Sequence, residues 1–327
     1  MARNSEQKIK LLVLYDILQR ETDENHPLST DELIAKLHEK GIEAARKVLP
    51  RDIALLNKYG FEVLSYKKRS YYYYVAYRKF DVAELRVLID AVQAANFISE
   101  SRTKDLADRL AAMAGEHSAE VLQDRFICYD TAKKDNKAVF YSIDEICRAI
   151  AEGKKVSFRY FSLNYKGNKV YRKDGQRYLV NPLVLIFEND NYYLVCYDDK
   201  HMGTANYRLD RMDELKTEEE HITVRREYEG FNPHIYRRQS FGMYVGKLTK
   251  AELEIDAKLA DEVFDKFGTG INLTPSGEGK YSFTAEVQVS PAFFRWIVGS
   301  LGGIRLKAPE EAVCMFGEFV NKIKSNY

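Results

Sequence analysis

Apolar residues recur first at helical and then at alternating spacing through the opening eighty positions. Residues 5–20, SEQKIKLLVLYDILQR, bring Ile9, Leu12, Val13 and Ile17 together, which predicts an amphipathic first helix. After a loop with His26 and Pro27, STDELIAKLHEKG reads as a capping box. Ser29 or Thr30 caps, Asp31 or Glu32 sits in the first turn, Leu33, Ile34 and Leu37 point inward, and Gly41 ends the helix. Pro50 sets the next boundary: a proline deep in a helix costs about 3 kcal/mol, yet is tolerated in the first turn, where N–H groups lack partners. A third helix is therefore expected from Arg46 or Lys47, burying Leu49, Ile53 and Leu56 and leaving Arg46, Lys47 and Arg51 at its exposed leading end. FEVLSYKKRSYYYYVAY reads as two strands around Lys67-Lys68-Arg69-Ser70. Three helices and a hairpin predict a winged helix-turn-helix over residues 1–80.

Residues 81–136 keep a helical pattern, with Leu85, Leu88, Ile89 and Val92 as the expected stripe. Such a connector, poor in Gly and Pro, transmits orientation, pairs with a second subunit, or simply packs. Within 137–217, a helix, SIDEICRAIAEG, precedes short strands in KKVSFRYF, RYLVNPLVLIF, NYYLVCYD and TANYRLDRM. Their spacing predicts a small, strongly bent sheet or barrel. Residues 230–327 end in strand–helix–strand–strand–helix–strand–helix order from AELEID onward, the split βαβ, ferredoxin-like pattern. The fold class expected is thus α+β and multidomain.

Charge sharpens this reading. The 327 residues carry a net charge of only +1, so any basic surface is local. Residues 41–79 hold nine Lys/Arg against three Asp/Glu, whereas 1–40 hold six against eight. The excess falls on the third helix and the hairpin turn (Lys67, Lys68, Arg69), the parts of this architecture that meet duplex DNA. Taken alone, the turn reads more readily as a solvated loop; the helix pattern beside it shifts the reading toward DNA contact. Tyr71 to Tyr74 are expected to pack the hairpin rather than stack on bases. Cys128, Cys147, Cys196 and Cys314 lack CxxC spacing, and no apolar run reaches membrane-spanning length, so a reduced, cytoplasmic setting is expected. The six histidines lack metal spacing, and GxxxxGK, GxSxG and HExxH are absent; neither cofactor, metal nor enzymatic activity is expected.

NYYLVCYD followed by YRLDRM resembles the WYL-domain transcriptional regulators of bacteria, with Tyr192-Tyr193-Leu194 in place of the family's Trp-Tyr-Leu. RDIALLNKYGFEV resembles their recognition helix and next strand, and FGMYVG with FFRWIVGSLGGIRLKAPEEAV their C-terminal extension. The resemblance implies an Sm-like barrel, also described as SH3-like, whose basic face binds an anionic ligand, a nucleotide or single-stranded nucleic acid. It assigns Tyr193, Arg208 and Arg211 to that face, and Arg159 and Arg177 to its rim. Two guanidinium forks could grip phosphate oxygens there, or could pair with Asp210 and Asp213 as structural salt bridges. Ala45 and Val48 stand where the family carries Ser and Thr, removing a cap and a hydroxyl.

The expected function is a ligand-responsive regulator that binds duplex DNA through Arg46, Lys47, Arg51, Lys67, Lys68 and Arg69 as a homodimer, without membrane partners. The alternative is an accessory RNA- or single-stranded-DNA-binding protein of a defence system, which the basic loop 166–177 and its tyrosines permit.

Overall fold

The structure, a computed structural model, describes residues 2–123, 138–199, 203–223 and 230–326. Cys128, His201 and the boundary expected at 136–137 lie outside them. The chain divides into two compact units, Met1–Asn136 and Lys137–Tyr327.

The first unit begins with α1 (Ala2–Glu21), β1 (Leu28–Ser29), α2 (Thr30–Glu39), α3 (Leu49–Lys58), β2 (Val63–Lys67) and β3 (Tyr71–Val75). Ser29 caps α2 in a full capping box with Glu32, and Gly41 closes it at φ +77°. β1, β3 and β2 form a small antiparallel sheet in that order. Leu14, Ile17 and Leu18 of α1 meet Leu33, Leu37, Leu49, Ile53, Leu56, Tyr73 and Val75 in one core. The α1 stripe thus differs from the spacing: Ile9 and Leu12 are exposed, while Lys10 is buried because its ammonium reaches the Asp52 carboxylate of α3 at 2.7 Å. α3 starts two to three residues later than expected, at Leu49, with Val48 as a cap that offers no side-chain hydrogen bond. Its other end is fixed to β2 by Asn57, which donates to Val63 O at 2.9 Å and accepts from Val63 N at 2.8 Å.

α4 (Val82–Ala94), α5 (Glu100–Ala112) and α6 (Glu116–Gln123) follow around Leu85, Ile89, Ala107, Ala111 and Leu122. Leu88, expected inside, is exposed; Gln93 completes the buried row. Arg78, counted above among the basic residues of the surface, is an internal pin. Its Nη2 donates to the α1 carbonyls of Gln19 (3.0 Å) and to Thr22 O (2.6 Å), and burial pushes its pKa down.

The second unit opens with α7 (Ala138–Glu152) and a curled antiparallel sheet of β4 (Lys154–Leu163), β5 (Lys169–Tyr171), β6 (Tyr178–Glu188), β7 (Asn191–Asp198) and β8 (Gly203–Arg208), in the order β5-β4-β6-β7-β8. β9 (Met212–His221) returns to pair with β4 and curls the sheet toward closure. β5 and β9 were not foreseen; β9, MDELKTEEEH, is too polar to show a strand period. Ile146 and Ala149 of α7 cover Val156, Phe158, Tyr160, Tyr178, Leu194 and Cys196.

After α8 (Pro233–Gln239) come β10 (Lys247–Asp256), α9 (Ala260–Phe267), β11 (Thr274–Gly277), β12 (Lys280–Val289), α10 (Pro291–Gly299), β13 (Ile304–Ala308) and α11 (Glu310–Lys324). Their sheet runs β11-β12-β10-β13, and Phe283, Phe293, Phe294 and Ile297 lie in its core. β11 begins later than the expected GINLTP strand.

Residues 240–246 form a strap that ties the two sheets of this unit together. Gln288 of β12 holds both ends, donating to Ser240 Oγ (3.1 Å) and accepting from Gly246 N (3.1 Å). In the middle, buried Met243 adopts φ +59° and its carbonyl accepts from Asn206 Nδ2 of β8 at 2.8 Å. Tyr236 of α8 donates to the same Asn206 at 3.0 Å. Gly246 leaves no room for a side chain, since a Cβ there would stand 1.9 Å from Val289 O.

Candidate functional site

The residues singled out in the sequence fall into two separate sets. In the first unit, Arg46, Lys47, Arg51, Lys67, Lys68 and Arg69 are all solvent-exposed. Arg46 and Lys47 precede the N-terminus of α3, where Pro50 carries no N–H, those of Arg51 and Asp52 are taken by Val48 O, and the helix dipole alone favours anions. Arg46 pairs with Asp31 of α2 at 3.1 Å across the surface, a contact of about 0–1 kcal/mol that a phosphate could displace. At the hairpin, Lys67 sits over Tyr71 (5.5 Å) and Lys68 over Tyr66 (5.2 Å). Tyr73 is buried and Tyr72 stacks on Tyr66, so the tyrosines stiffen the hairpin that carries these cations.

In the second unit, Tyr193 and Arg208 face each other across the β7–β8 ladder. Tyr193 is half-buried against Ile186, Val195, Tyr236 and Met243, and burial raises its pKa. β8 ends at Arg208, and a single tight turn, Leu209–Arg211, bends the chain into β9. Arg208 and Arg211 converge after this bend, but with the Asp210 carboxylate between them. Arg208 grips Asp210 bidentately, Nε to Oδ1 and Nη2 to Oδ2 both at 2.9 Å, and also donates to Asn191 Oδ1 at 2.5 Å. The hydrogen bonds to Asp210, which is 8% exposed, hold the guanidinium charged, and the Arg208 pKa is raised. Arg211 lies farther from the same carboxylate, at 3.9 Å, with its guanidinium 5.9 Å from the Phe161 ring centre. Arg208 is therefore committed to a structural pair, while Arg211 keeps hydrogen-bonding capacity.

Arg159 and Arg177 meet elsewhere, on Glu214 of β9. Arg159 Nη1 reaches Oε1 at 3.1 Å and Arg177 Nη1 reaches Oε2 at 3.2 Å. Ser157 orients Arg177, accepting from its Nε at 3.0 Å and its Nη2 at 2.7 Å. Beside them Asp213 takes Lys169 (2.7 Å) and the Tyr171 hydroxyl (2.6 Å); despite the cost of its partial burial, these partners hold its pKa below the usual value. The structure thus keeps Tyr193 with Arg208 and brings Arg159 together with Arg177, while Arg211 joins Arg208 at Asp210. The sequence pointed to the arginines but not to Asn206 or Glu214. A polar run such as DELKTEEEH gives no sign of which acid meets the arginines.

Among the described residues, no group of three or more His, Cys, Asp or Glu is placed to hold a metal ion, and no helix is long and apolar enough to cross a membrane.

Comparison with known proteins places a WYL domain at residues 142–217. Among solved structures, the chain is similar to proteasome accessory factor B/C (PafBC) of Arthrobacter aurescens, at 17% identity and a TM-score of 0.30, over 97% of this chain and 48% of that one. It thus spans about half the length of that protein. A CRISPR Cas-related protein is similar at 10% identity and a TM-score of 0.39, over 99% of this chain and 85% of the other. No curated protein matches the sequence.

Proposed function

We infer that the chain is a ligand-responsive, DNA-binding transcriptional regulator. In this reading residues 1–80 act as a winged helix-turn-helix, with α3 entering the major groove and the β2–β3 turn as the wing. The WYL domain, a small bent barrel of Sm or SH3 type, senses an anionic ligand, either a nucleotide or a single-stranded nucleic acid. Residues 230–327 form a ferredoxin-like extension, and two copies bind one operator, since a single winged helix reads a half-site. The observation that carries the reading is the exposure of all six candidate cations at the leading end of α3 and in the hairpin turn, in a chain that also holds a WYL domain.

The test is salt-dependent binding of the full chain to duplex DNA. Lys68→Ala should weaken every duplex alike and lower the slope of log K against log salt by about one unit, as expected for one lost phosphate contact. Arg46→Ala or Lys47→Ala should instead change preference between sequences. An unchanged salt slope after replacing Lys67, Lys68 and Arg69 together would overturn the wing assignment.

One observation favours a second reading, an accessory protein of a defence system that binds RNA or single-stranded DNA. Tyr165, 91% exposed at the β4–β5 turn, carries Lys166 over its ring at 5.4 Å, an arrangement suited to stacking an unpaired base. Tyr165→Ala should then reduce single-strand binding and leave duplex binding intact.

A further inference from the structure

We propose that Glu214 is an internal occupant of an anion seat formed by Arg159 and Arg177, displaced when a phosphate group binds, so that this one side chain sets which anions the WYL domain admits. The proposal rests on the anion-sensing reading above and adds the regulation of that site. Its first support is the backbone. The β4–β9 ladder pairs Arg159 with Asp213 and Ser157 with Lys216, so one extra residue of β9 is accommodated between these pairs. Glu214 sits in that irregularity at φ +52°, a left-handed conformation that a glutamate adopts only when its surroundings hold it there. The bulge aims its carboxylate between two guanidinium groups, one oxygen to each, the placement two phosphate oxygens would take.

The seat itself does not depend on the carboxylate. Arg177 is preset by Ser157 Oγ, by Ser157 O at 3.0 Å and by the Glu214 backbone carbonyl at 2.6 Å. Arg159 presents the exposed end of its guanidinium, its side chain being 43% exposed, while its buried Nε has no hydrogen-bond partner among the described residues. Glu214 in turn is free to leave: its side chain is 54% exposed, so solvent can receive it. A lone carboxylate or halide would have to replace a carboxylate already in place, whereas a phosphate brings more charge and more acceptor oxygens to the same two forks.

The experiment measures fluorescence anisotropy of a fluorescein-labelled pentathymidylate with the full chain at fixed ionic strength. Glu214→Gln should bind about fivefold tighter than the native chain, the scale of releasing two weak, exposed ion pairs. Glu219→Gln removes the same charge from a fully exposed position on the same strand and should change binding less than about twofold. Arg177→Ala in the Glu214→Gln background should cancel the gain. Competition by unlabelled inorganic phosphate or by the unlabelled oligomer distinguishes a lone phosphate group from a polynucleotide backbone as the occupant. A Glu214→Gln chain that melts normally yet binds no tighter than Glu219→Gln overturns the proposal, as does a gain that survives Arg177→Ala. The anion-sensing reading is judged on a different comparison, the native chain against Arg211→Ala, and fails if those two bind the probe equally.

Discussion

Arg208 and Arg211 stand three residues apart and do different work, because one short turn gives them unequal shares of a single carboxylate. Replacing Arg208 by Ala removes the bidentate partner of nearly buried Asp210 and should lower stability by about 1–3 kcal/mol, read by thermal unfolding of the full chain. Arg211→Ala, which loses only a 3.9 Å contact, should cost less than about 1 kcal/mol while weakening anion binding. Equal losses of stability in both variants would contradict the division. Lys266 offers a second test at this scale. Its ammonium donates to the carbonyls of Ser240 and Arg237 and lies 4.3 Å from the Phe241 ring centre; burial pushes its pKa down to about 8. An unfolded lysine titrates near 10.5, so between pH 8 and 10.5 the unfolded chain holds more protons and stability should rise with pH. The burial penalty is fully present below that window and gone above it. Lys266→Met should flatten this rise, on the order of 1–2 kcal/mol after solvent screening, in urea denaturation at pH 7.5, 8.5 and 9.5.

Elements whose burial follows their own sequence period were legible from sequence. β12 was read residue for residue because KYSFTAEVQV alternates, and the α2 cap because Ser29 and Glu32 satisfy each other locally. The failures have a common cause in partners distant along the chain. The α1 stripe was misplaced because Lys10 enters the core only by pairing with Asp52, some forty residues on, and β9 was missed because β4, not an apolar face of its own, makes it a strand. Arg78 belongs with them: no spacing rule separates a cation on the hairpin surface from one that caps the end of α1. Its seat includes Gly115, at φ +85°, where a Cβ would come within 2.6 Å of the guanidinium. Gly115→Ala should therefore cost about 1–3 kcal/mol, measured by denaturant unfolding, whereas Gly41→Ala, strained but unobstructed, should cost less.

At the scale of the molecule, residues 137–217 and 230–327, each with its own sheet and core, lie in one compact unit. The strap explains why. Met243 and Tyr236 cover Ile186 and Val195 of the WYL sheet, and Asn206, two residues before Arg208, is bonded to both of them. Tyr236 and Met243 lie outside the stretch that the WYL match covers, and the short segment FGMYVG gives no periodic signal of its own. This bears on how such chains can be recombined. A graft that exchanges only residues 137–217 cuts β9 before its end and removes the cover over Ile186 and Val195; it should precipitate or melt early. One that exchanges 137–327 moves the sheet together with Asn206, the strap and Gln288, and should retain the melting behaviour of its donor. The transferable cassette is the WYL sheet with the residues that follow it, and an evolutionary shuffle that kept one without the other would have had to reinvent the surface between them.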